Sequence, residues 1–111
     1  MKRVLTIALT AAAAIEAYRF VNIGANGGKT AGAGEGIIGV TDLAAKAGER
    51  FDAMVGGIAE VQLGGTVTAN DQLKSDANGK AVVGTSTDRI GGIALESGVS
   101  GDVIQVLLAQ R

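Results

Sequence analysis

The chain contains no cysteine, no histidine, no proline and no tryptophan, and each absence removes a class of function or a way of folding. Without cysteine there is no disulfide framework and no thiolate chemistry, which suits a reducing compartment. Without histidine as well, the usual zinc sites, Ser-His triads and Cys-His pairs cannot be assembled. Carboxylates, lysines, hydroxyls and Tyr18 are left for acid-base work, and no two carboxylates share a recognisable motif. The composition points away from an enzyme and offers no site for a cofactor or a metal. Ten basic and eleven acidic residues are spread along the chain for a formal charge of −1, so the clustered basic face expected of a nucleic-acid binder is missing. With one tyrosine and two phenylalanines, any core must be built from Val, Ile, Leu and Ala. Eighteen glycines and no proline mean that turns are made by positive-φ residues and not by fixed rings.

What is present is a series of short alternating segments. At 111 residues the chain is long enough for one domain that buries about two-thirds of its unfolded surface. The organising stretch is Ile58 to Leu108, around Asp76-Ala77-Asn78-Gly79-Lys80. Asp71-Gln72-Leu73-Lys74-Ser75 leads into that turn and Ala81-Val82-Val83 leads out. Asn78-Gly79 is the dipeptide demanded by a tight primed turn in which both central residues take positive φ. Further strands are expected over Ala59/Val61/Leu63, Ile93/Leu95 and Ile104/Val106/Leu108, divided by Gly64-Gly65, Asp71, Gly98 and Gly101-Asp102. This spacing predicts a mainly β protein, a small β-barrel or β-sandwich. If Gly79 adopts a left-handed conformation, Gly79→Val should cost at least about 1–2 kcal/mol.

The leading segment reads differently. Lys2-Arg3 followed by an apolar run and alanines has the outline of a secretory signal. The alternation of Val4, Thr6, Ala8 and Thr10 with Leu5, Ile7 and Leu9 also fits an extended strand, and the run is shorter than the roughly twenty residues that a membrane-spanning helix needs. We read residues 1–23 as an N-terminal arm followed by a second strand, Tyr18 to Ile23. Residues 24–36 are read as a glycine-rich loop and 37–111 as the β-rich body, all within a single domain. Ala11 to Ala17 fits either one helical turn or a continued strand. Within the body, Ile37 to Val40 and Arg50 to Val55 read as strands, and Asp42 to Glu49 as one or two helical turns or a simple turn.

Two glycine patterns imitate nucleotide-binding loops. Gly24-Ala25-Asn26-Gly27-Gly28-Lys29-Thr30 has three residues before Gly-Lys-Thr where a phosphate-binding loop needs four, and glycines follow where a helix should start. Gly34-Glu35-Gly36-Ile37-Ile38-Gly39 matches the dinucleotide fingerprint but lacks the preceding strand and the βαβ unit. Both are read as flexible loop.

The body also resembles a known family. Gly48-Glu49-Arg50 opens the pattern, and Ala59-Glu60-Val61, Leu63-Gly64-Gly65, Val67, Asp71 and Leu73 follow. Asp76, Gly79-Lys80-Ala81, Arg89-Ile90, Gly92-Ile93-Ala94-Leu95 and Gly101-Asp102-Val103-Ile104-Gln105-Val106-Leu107-Leu108 complete it. This order of turns is similar to that of the capsid cement, or head decoration, proteins of tailed bacteriophages, over about Ile37 to Leu108. The resemblance implies a β-rich virion protein, made in the host bacterial cytoplasm, that sits on the outer surface of the capsid. It further implies that the protein stabilises contacts of the major capsid protein as a small oligomer, a trimer rather than a dimer, with no enzymatic activity, nucleic acid or membrane involved. The residues suggest a means. An arm freed by the glycine-rich linker could add a strand to a foreign sheet, with Val4, Leu5, Thr6, Ile7, Ala8 and Leu9 pairing with a capsid subunit or a neighbouring protomer.

Two other classes have their own signatures. An exported β-domain binding a saccharide or peptide would carry a processed N-terminus near Ala14 or Ala17. A nucleotide-dependent enzyme would use Lys29 and Thr30 and lose nucleotide binding in Lys29→Ala.

Overall fold

The computed structural model describes residues 5–24, 27–33, 35–41, 43–84 and 90–108, which hold ten strands and no helix. In the first half these are β1 (Leu5–Thr10), β2 (Arg19–Gly24), β3 (Gly27–Thr30), β4 (Gly39–Thr41) and β5 (Arg50–Gly56). The second half has β6 (Ile58–Gln62), β7 (Gln72–Ser75), β8 (Ala81–Val83), β9 (Gly92–Ala94) and β10 (Val103–Leu108). Strand alternation follows the sequence most clearly in β10, where Ile104, Val106 and Leu108 are buried while Val103, Gln105 and Leu107 face outward.

The strands form two five-stranded antiparallel sheets, with orders β1-β5-β4-β2-β3 and β6-β10-β9-β7-β8. These are the same topology written twice, and the details repeat with it. Isolated bridges Ala11–Gly28 and Ile15–Ala45 in the first half recur as Leu63–Ala81 and Val67–Gly98 in the second, displaced by 52 or 53 residues. Gly48 and Gly101, both at positive φ, close equivalent turns, and their N–H groups donate to Ala11 O and Leu63 O. Tyr18 and Asn70 occupy matching left-handed positions, and their N–H groups donate to Thr41 O and Ala94 O, each at 2.8 Å. The chain is therefore a structural tandem repeat jointed at Gly57, itself at φ 86°.

Each half has apolar side chains facing inward. Ala11, Ile15, Val21, Ala45, Phe51 and Ala53 form the core of the first half, with Leu9 against it. The larger core runs through the second half, from Val61, Leu63 and Leu73 to Ile104 and Val106, and it takes in Phe20, Ala31, Ile37 and Val40 from the first. Phe20 and Val21 thus point into different cores from opposite faces of β2. The halves are joined through that shared core and through main-chain hydrogen bonds, Phe20 N–H to Gly79 O at 2.7 Å and Gln62 N–H to Tyr18 O at 2.9 Å.

Several expectations change. The fold is mainly β, as the segment pattern indicated, but neither sheet closes into a barrel. Each stays open, with a single bridge tying its edge strands at one end. Within the stretch read as a glycine-rich loop, Gly27–Thr30 is strand β3, paired with β2. Glycine is needed there by close approach: a Cβ on Gly28 would lie 2.7 Å from Phe51 Cζ. Asp42 lies outside the described residues. From Leu43 to Glu49 the chain forms an Ala45 bridge and a turn, not helix, because Ile15 exchanges both hydrogen bonds with Ala45 across the half. Val4 also lies outside the described residues. The rest of the expected arm, Leu5 to Leu9, is β1, paired with β5 of the same chain from Leu5–Gly56 to Thr10–Arg50.

Candidate interaction surfaces

No group of three or more metal-ligating side chains converges among the described residues. Lys29, from the first nucleotide-like pattern, lies on β3 with its Nζ 3.4 Å from Glu35 Oε2. Glu35, from the second, turns back on its own loop, and its Oε1 accepts from Gly32 N–H at 2.7 Å. That hydrogen bond and the positive charge of Lys29 hold the Glu35 carboxyl below its ordinary value. The two patterns are thus tied to each other by an ion pair.

The turn at Asn78-Gly79 lies within the five-residue connection Asp76 to Lys80 between β7 and β8. Gly79 has φ 76°, whereas Asn78 keeps an ordinary φ, so the turn is not a primed pair. Gly79 N–H donates to Asp76 O at 3.2 Å, and Asp76 Oδ1 accepts from Asn78 N–H at 2.8 Å and Lys80 N–H at 2.9 Å. The aspartate shapes the loop and Gly79 closes it against the first half. A Cβ on Gly79 would lie 2.5 Å from Thr30 Cγ2 and 2.9 Å from Phe20 O.

The expected interaction strand β1 is the edge of its sheet, paired on one side. Ile7 is exposed, Leu9 packs on the first core, and the side chain of Leu5 is not described. Thr6 and Ala8 face a hollow of about 450 Å³ lined also by Leu43, Arg50, Asp52 and Met54. Arg50 and Asp52 contribute charged groups to its lining, and Leu43 and Met54 contribute apolar ones. A smaller hollow of about 200 Å³ lies beside Asn78 at the joint of the halves. There the buried Arg19 guanidinium donates to Ala17 O at 3.0 Å and to Gln62 Oε1 at 2.5 Å, tying the first half to β6.

The outer face of the second sheet was not singled out in the sequence. It exposes Ile93 on β9, Val103 and Leu107 on the adjacent β10, and Leu95 just after β9. The alternation of β10 carried a signal, since Val103 and Leu107 are apolar on the face where a solvated sheet would place polar residues.

In comparison with known proteins, the fold is similar to the crystal structure of the N base of head fiber gp8.5 of bacteriophage phi29. The TM-score is 0.78 at 16% identity, and the likeness covers 96% of this chain and 95% of that one. No curated protein matches the sequence. A family model described as phage cement protein matches residues 1–110, and with this match over both repeats the chain belongs to the phage cement protein family.

Proposed function

We propose that this protein binds the outer surface of a phage capsid and stabilises contacts between major capsid protein subunits, acting as a homotrimer and without catalysis. The observation that carries this reading is the family match over residues 1–110, which takes in the edge strand and both sheets. The name of the phi29 protein, the base of a head fiber, supports a position on the head of the virion. It is made in the host cytoplasm and needs neither a membrane nor nucleic acid to act.

The geometry supplies the means. The hollow over β1 and β5 combines apolar lining with one cationic and one anionic side chain, and the free edge of β1 lies beside it. A segment of a capsid subunit laid there meets main-chain donors and acceptors as well as side chains. Individual contacts of this kind are weak. An oligomer that touches several subunits gains by effective concentration, a factor of about 10² to 10⁴.

The test uses shells that lack the protein. Purified protein added to them should co-sediment to a saturating ratio and raise the temperature at which the shells break. Ala8→Trp, which fills the hollow, should lower occupancy at least tenfold while leaving the size of the free oligomer unchanged. No binding to such shells by the wild-type protein would end the proposal.

A further inference from the structure

The two halves are built alike but covered differently. Across the first sheet, Phe20, Val40, Met54 and Thr6 form one row through facing register positions. Phe20 and Val40 are fully buried, and with Met54 they pack against the core of the second half. The equivalent row across the second sheet is Gln72, Ile93, Leu107 and Ile58, paired in the same order. That row is left open, with Ile93 38% and Leu107 43% exposed.

The receiving side shows the converse. The second half meets the first at Ser75, Gly79 and Gly91. Ser75 Oγ donates to Ala31 O at 3.0 Å, Gly79 O accepts from Phe20 N–H, and a Cβ on Gly91 would lie 2.8 Å from Phe20 Cε1. The alignment is fixed by matching hydrogen bonds, Ile38 N–H to Val21 O and Gly91 N–H to Leu73 O. By it, the positions in the first half that correspond to Ser75 and Gly91 are Ile23 and Ile38. Ile23 is 52% and Ile38 39% exposed. The side-chain volumes interchange too. Inside the chain the large Phe20 lies on Gly91, and the equivalent pair is the smaller Gln72 with the larger Ile38.

We infer that copies of this protein associate head to tail, with the exposed row of the second half (Ile58, Ile93, Leu107) covering Ile23 and Ile38 on the first half of the next copy. The contact repeats between chains the junction that already joins the halves within one chain. It is heterologous, and the form assigned to the oligomer is the closed ring that such a contact gives when the rotation between copies closes, as against the open filament it gives when the rotation does not. The inference rests on the self-association proposed above and is independent of shell binding, which a separate assay reads.

The test is a mixing experiment by light scattering coupled to size exclusion. The wild-type protein should run as a closed oligomer. Leu107→Glu and Ile38→Glu should each run as monomers with unchanged β-sheet circular dichroism. Mixed in equal amounts, they should form a one-to-one pair and nothing larger, because each retains the surface that the other has lost. A wild-type monomer, either single variant keeping the wild-type size, or a mixture that stays monomeric would overturn the inference. Should a charged variant fail to fold, the native absence of cysteine permits a second measurement. Oxidising a chain that carries both Ile38→Cys and Gln72→Cys should give a covalent ladder of more than two chains, and its absence would equally overturn the proposal. Oligomers that form as described but do not bind shells would leave this inference standing and remove the capsid role.

Discussion

At Gly79 a single hydrogen atom in place of a side chain serves two demands. Its φ of 76° is strained for any L side chain, and the space a Cβ would take is already held by Thr30 and the Phe20 carbonyl. Gly79→Ala should therefore cost at least about 1–2 kcal/mol from backbone strain alone, read as a lower denaturation midpoint. An unchanged midpoint would remove the turn from the joint between the halves. Glu35 is a second local case. Its carboxyl is held below the ordinary value of 4.5 by the Gly32 hydrogen bond and then by Lys29. A depressed carboxylate contributes stability that is fully present above the unfolded value and is lost as pH falls through the folded one. The stability gap between wild type and Glu35→Gln should hold at pH 7 and shrink on acidification below about 4.5, as followed by urea melts across pH. The turn itself was visible in Asn78-Gly79, but its form was not: Asp76 caps the loop, so Asn78 need not adopt positive φ.

Strands whose two faces differ were legible. Arg50 to Val55, Ala59 to Leu63 and Ile104 to Leu108 alternate, and β5, β6 and β10 lie there. On β10 the consequence is measurable. Ile104→Ala should cost about 2–5 kcal/mol and Gln105→Ala less than about 0.5 kcal/mol, since one side chain fills the core and the next faces out. Strand β3 was not legible, because Gly27-Gly28 has low strand propensity. It is a strand because β2 supplies its hydrogen bonds and the Phe51 ring leaves no room for a side chain at Gly28. The alanine-rich stretch before Gly48 has the opposite problem. Its local preference suits a helix, but the exchange with Ile15 holds it extended at Ala45.

For the molecule as a whole, the larger core is shared between the repeats, so the halves should not melt separately. Calorimetry should give one transition with equal calorimetric and van't Hoff enthalpies. Phe20→Ala, which empties the joint, should cost about 3–5 kcal/mol in that single transition. Two resolved transitions would mean that the repeats fold independently. The sequence by itself determined that the protein is built of short strands with glycine turns, that its core is aliphatic, and that histidine and cysteine chemistry is closed to it. The order of its turns also carried the family. Only the tertiary structure decided that Leu5 to Thr10 is a strand of the chain's own sheet and that the chain is the same five-strand unit twice. The physical reason is that strand pairing is set by main-chain hydrogen bonds between distant segments, which tolerate almost any side chain. Positions as unlike as Phe20 and Gln72, or Arg50 and Val103, can therefore occupy the same place in the two halves without leaving a repeat that the residues alone reveal.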